Sequence, residues 1–106
     1  MAKYMLKVSY TLDGIRGVKA KGGGARKSAA QAATKSAGGK MEAFYFAFGG
    51  SDAFVIADLP DNTAAAALAL TVAAGGVATT ETVVLLTADE MDAAAERNVG
   101  YKPPGS

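Results

Sequence analysis

The sequence predicts an α+β domain in which one antiparallel sheet carries its helices on a single face, and three observations lead there. Residues 3–11 alternate between apolar and polar, the period of a strand. Residues 41–48 and 53–59 are two strand-like runs parted only by Gly49-Gly50-Ser51-Asp52, a hairpin-length connection that makes them antiparallel neighbours. Alanine-rich stretches with helical spacing lie before and after that hairpin, and a β-branched run over 79–86 supplies a fourth strand.

In the first strand Tyr4, Leu6, Val8 and Tyr10 share one side, with Lys3, Met5, Lys7 and Ser9 on the other. From Leu12 to Ala37 the pattern is helical but interrupted by Gly22-Gly23-Gly24. Beyond the interruption Ala25, Ala29, Ala32 and Ser36 recur as an inner stripe, while Arg26, Lys27, Gln31 and Lys35 fall on other faces. Such small side chains should let the helix approach the sheet closely, and Gly38-Gly39 provides a left-handed stop. Phe44, Phe46 and Phe48 occupy one face of the second strand, a stripe that reads as core before it reads as a ligand wall.

Pro60 ends the third strand, and Asp61 or Asn62 can cap a helix over 63–74. Leu68 and Val72 share one side of that helix and Leu70 lies on another, with alanine around most of the rest. It should therefore be buried on more than one flank. Thr87-Ala88-Asp89-Glu90 spells a capping box ahead of a short helix ending near Arg97. One domain is expected over 1–99, followed by an extended tail over 100–106 in which Tyr101 and Pro103-Pro104 should anchor to a neighbouring subunit or to the domain's own surface.

The resulting order, β-α-β-β-α-β with a terminal helix, is the split βαβ arrangement of ferredoxin-like folds. Both main helices then cover one sheet face. The other face carries Met5, Val83, Leu85 and several phenylalanines, too apolar to leave in water, so the chain should associate with itself at least as a dimer.

Composition narrows the chemistry. Half of the 106 residues are hydrophobic, yet 24 are alanine and 13 are glycine, which predicts a thin, closely packed core. With no cysteine and no histidine, a disulfide framework, a zinc knuckle and a thiol nucleophile are excluded, and zinc, copper and iron lose their commonest ligands. No metal or other cofactor is expected. The start has no apolar run of signal-peptide length, which makes a cytoplasmic location the expectation. The longest apolar stretch, 64–78, is shorter than the roughly eighteen residues that span a bilayer, so no membrane partner is expected. Residues 1–40 hold nine of the eleven Lys and Arg and one acid, Asp13. No aromatic residues interleave the basic run, so the basic and acidic portions read as neutralising one another rather than as a nucleic-acid surface.

Gly14-Ile15-Arg16-Gly17, the run Gly39-Lys40-Met41-Glu42-Ala43-Phe44-Tyr45-Phe46-Ala47-Phe48-Gly49, and Asp58-Leu59-Pro60-Asp61-Asn62 resemble the GYD-domain family. So do Leu85-Leu86-Thr87 and the closing Tyr101-Lys102-Pro103-Pro104-Gly105. The residues that give the family its name stand here as Gly50-Ser51-Asp52, with serine in place of tyrosine. The resemblance spans essentially the whole chain. It implies a ferredoxin-like domain that assembles through its sheets as dimeric α+β barrels do, and no settled activity. The architecture is similar to barrel families that include cofactor-free oxygenases and isomerases, but fold alone does not transfer function.

Gly22-Gly23-Gly24-Ala25-Arg26-Lys27-Ser28 invites a phosphate-loop reading, yet glycine does not precede Lys27 and no strand comes before it. It reads as a helix break with a solvated basic face and, at most, a weak anion site near Ala25. Asp52 can act as an acid or ligand, or simply form the turn. On the strand faces Lys7 and Ser9 lie together, and the first and last strands of this topology are neighbours, so Glu81 should approach them and Asp58 should approach Lys3. Beneath a covering partner, these groups would line a mostly apolar chamber or form a structural ion pair. Lys7 should have a carboxylate within ion-pair distance, Glu81 first, then Asp58 or Glu42. The candidate ligand-binding residues are Lys7, Ser9, Asp52 and Glu81. The function expected is a non-enzymatic oligomeric module that binds a small organic ligand or scaffolds. The alternative is a cofactor-free enzyme in which Lys7, Glu81 or Asp52 handles protons in a chamber between sheets.

Overall fold

A computed structural model of the chain describes residues 1–105. Its elements are β1 (Ala2–Tyr10), α1 (Leu12–Lys21), α2 (Gly23–Ser36), β2 (Lys40–Phe46), β3 (Ala53–Leu59), α3 (Asn62–Ala74), β4 (Ala78–Leu85) and α4 (Ala88–Glu96). The strands form one antiparallel sheet in the order β2-β3-β1-β4. This is the ferredoxin-like plan, with one departure: two helices, α1 and α2, occupy the first connection. The chain breaks between them at Gly22 (φ 82°) and leaves α2 through Gly38 (φ 88°), backbone states that a side chain would strain.

The period of two in β1 and β3 places Tyr4, Leu6 and Val8 beside Ala53, Val55, Ala57 and Leu59 on the helix side, all buried. Leu59, fully enclosed, contributes about 1.5–3 kcal/mol by its burial. Tyr4 is equally enclosed, and its hydroxyl donates to Asn62 Oδ1 at 2.6 Å, which ties the start of α3 to the centre of the sheet. Asp61 caps α3 by accepting from the Ala64 amide at 2.8 Å. Thr87 and Glu90 form the expected capping box, and the Thr87 backbone N–H holds the Glu90 carboxyl below its ordinary pKa. Among the described residues no helix is long and apolar enough to cross a membrane.

Several expectations are corrected. Of the expected inner stripe Ala25, Ala29, Ala32 and Ser36, only Ala29 reaches the space between the helices: Arg26, Ala30, Ala33, Thr34 and Ala37 turn inward, with Thr34 buried. Alanine on every side of this helix leaves its periodicity without a phase, so packing chooses the face. Phe44 packs on the core and meets Phe46 edge-on at 5.0 Å, while Phe48, beyond the end of β2, is wholly exposed. The phenylalanine that joins Met5 and Val83 on the open sheet face is Phe54, opposite Lys7 in the ladder. In the single chain α3 is buried on one flank only, through Ala65 and Leu68, and Leu70 is 71% exposed. Helix α4 buries no residue and Tyr101 is exposed, so the tail is not anchored on the domain's own surface.

Candidate functional site

The core closes around Tyr4, Ala57 and Leu59 but not between the helices, and the reason defines a site. Helix α2 lies over β2 and α3 lies over β4, at opposite edges of the sheet, so the central strands β3 and β1 run beneath the gap between the helices. The alanines that α2 turns toward α3 are too short to fill that gap. A cleft of about 330 Å³ remains, floored by Leu6, Val8 and Val55, and walled by Ala30 and Ala33 of α2 and by Leu68 and Val72 of α3. A space of this size and character suits a small organic molecule.

Few polar groups reach the cleft, and they differ in how they are satisfied. Thr34 donates to the Ala30 carbonyl at 2.7 Å and Thr71 to the Ala67 carbonyl at 2.7 Å, so each hydroxyl is used within its own helix. Thr80 Oγ1 is shielded from solvent and has no hydrogen-bond partner among the described residues. Leaving such a hydroxyl unmet costs about 1–3 kcal/mol. Tyr10 and Arg26 complete the lining. Burial raises the Tyr10 phenol above its ordinary pKa; the nearby Arg26 charge opposes the rise and Asp52 reinforces it. Arg26 enters no ion pair among the described residues. On its far side lies a second hollow, lined by Asp13, Gly14, Gly17, Lys21, Ala25 and Val77 as well as by Arg26 itself.

The open sheet face gathers three of the four residues singled out by sequence. Lys7 pairs in register with Glu81, and Ser9 pairs with Thr79 one step along the same face. The carboxylate expected beside Lys7 is missing among the described residues of the single chain: none of their acids lies within 4 Å of it. Its two fallbacks sit on Lys3 instead, Glu42 at 2.7 Å and Asp58 at 3.1 Å, and these bonds, Glu42 foremost, raise the Lys3 pKa. The expected approach of Asp58 to Lys3 is thus present. The fourth residue, Asp52, stands apart. Its carboxylate accepts from the Tyr10 backbone N–H at 2.8 Å and its own amide donates to the Val8 carbonyl at 2.8 Å, which fastens the β2–β3 turn to the end of β1.

The cleft was not anticipated from the sequence. Two signals point to it in retrospect: Arg26, Ala30, Ala33 and Ala37 follow one another at helical spacing, and Thr80 is a hydroxyl on the inward side of β4. Comparison with curated proteins and with solved structures returned no match. The GYD domain profile matches residues 4–95, nearly the whole of the sheet and its helices, so the chain belongs to the GYD-domain family.

Proposed function

We propose that this GYD-domain protein is a non-enzymatic, self-associating module that binds a small, mainly apolar organic molecule in the cleft between α2, α3 and the sheet. The observation that carries the reading is the unfilled cleft itself, with one solvent-shielded hydroxyl, Thr80, lacking a partner. A site built only for packing would fill such a space and pair such a hydroxyl. Self-association is supported by the open sheet face, where Met5, Phe54, Ile56 and Val83 adjoin, and by the uncovered Leu70 flank of α3. The test uses 1-decanol, a neutral apolar probe, followed through amide NMR shifts, with light scattering for mass. Binding below millimolar with shifts at Leu6, Val55 and Leu68, its loss in Ala33→Phe with a raised Tm, and a dimeric or larger mass are expected. Absence of decanol binding overturns the ligand reading, and a monomer at micromolar concentration overturns self-association.

A second reading is favoured by one specific relationship, the placement of Lys7 opposite Glu81 on the open face. Covered by a second copy, that face would enclose an ammonium and a carboxylate in an apolar chamber, the makings of a cofactor-free proton-transfer site. A bell-shaped pH profile of turnover, abolished by Glu81→Gln, would establish this reading over the first.

A further inference from the structure

Resting on the reading of the cleft as a binding site, we propose that its ligand is an anionic amphiphile, an acyl or aryl carboxylate, whose head group meets Arg26 while its apolar body lies between the helices.

The cleft is polar at one end and apolar along the rest. Tyr10 pairs with Ala78 and Val8 with Thr80 at the same end of the β1–β4 ladder. Arg26 comes from the first turn of α2, and its charge bears on the Tyr10 phenol. Away from that end the lining is Leu6, Ala33 and Leu68, with Thr34, whose hydroxyl is already spent on the Ala30 carbonyl. Arg26 and Tyr10 supply a guanidinium and a hydroxyl at this end, with Thr80 Oγ1 shielded behind them. A carboxylate uses the first two, because its oxygens accept from the guanidinium fork and from the phenol O–H.

Charge selects the sign of the ligand. Arg26 is half-buried with no ion pair among the described residues, which leaves its compensation to water or to a bound anion. The hollow on its other side adds a second cation, Lys21; the one acid there, Asp13, lies 4.0 Å from Arg16. Asp52, which also bears on the Tyr10 phenol, is engaged with the Tyr10 backbone N–H. A cationic amphiphile would therefore meet like charge at the Arg26 end of the cleft.

The test compares decanoate, 1-decanol and decyltrimethylammonium, three probes that share a chain and differ in head charge, by amide NMR titration of the full chain. Decanoate should bind about tenfold more tightly than decanol, and the ammonium more weakly than either. Arg26→Gln should remove the preference, so that decanoate and decanol bind alike, while unchanged amide shifts away from the cleft and an unchanged Tm show that the fold is intact. Arg26→Glu should reverse the order in favour of the ammonium. Equal binding of decanoate and decanol by the unaltered chain, or a decanoate preference that survives Arg26→Gln, overturns the head-group assignment while the cleft stands. Absence of decanol-induced shifts at Leu6, Val55, Leu68 and Thr80 overturns the cleft reading and this inference with it.

Discussion

Lys7 and Glu81 stand directly opposite one another in the antiparallel β1–β4 register, yet no ion pair joins them in the single chain. Opposite charges in that position attract only weakly while both are wet. A second sheet laid over Met5, Phe54 and Val83 would change their surroundings and draw them together.

The pair therefore reports on assembly. If the open face is covered, Lys7→Met strands Glu81 beneath the partner and should destabilise the assembly by about 3 kcal/mol. Adding Glu81→Gln should recover that loss or exceed it, because apolar and neutral replacements of a buried pair pack well. Thermal denaturation of the single and double variants checks this. A Tm unchanged in Lys7→Met would place the pair in water and remove the argument for sheet-to-sheet contact.

Tyr4→Phe tests the link between sheet and helix. The variant keeps the ring in the core and deletes only the hydroxyl that donates to Asn62 at 2.6 Å. A loss of about 1 kcal/mol is expected, equivalent to a fall of roughly 4–8 °C in Tm for a domain of this size. In a double-mutant cycle, Asn62→Ala on the Tyr4→Phe background should cost little more, since the bond is already gone. Independent, additive losses would show that the hydrogen bond does not couple the two elements.

Stability above pH 10 is expected to depend on Lys3. Its pKa is raised by hydrogen bonds to Glu42 and then Asp58, so the folded state holds that proton more tightly than the unfolded chain, whose value is 10.5. The stabilisation is fully present below that unfolded value and is lost as pH rises through the folded one. Lys3→Met should therefore have a lower Tm than the unaltered chain from neutral pH up to about pH 10, with the gap closing at higher pH. Melting curves across that range check it, and a gap independent of pH would assign the effect to packing of the lysine stem.

Much of this architecture is local and so was legible in the residues. The alternation of Lys3 to Tyr10, the proline at 60, the Asp61 cap and the Thr87–Glu90 box each act within a few positions of the chain, and each is present where the sequence put it. The β1–β4 neighbourhood of Lys7 and Glu81 followed from topology alone. What only the tertiary structure decided was phase and space. An alanine-rich helix offers no preferred face, so nothing in the order of residues says that Arg26 and Thr34 turn inward while Ala25 and Ala32 turn out. The spacing of α2 and α3 is set by the opposite sheet edges they cover, not by their own composition. Short side chains made close packing look inevitable from the sequence. In three dimensions the same short side chains leave the cleft open, because the helices are held apart and alanine cannot reach across.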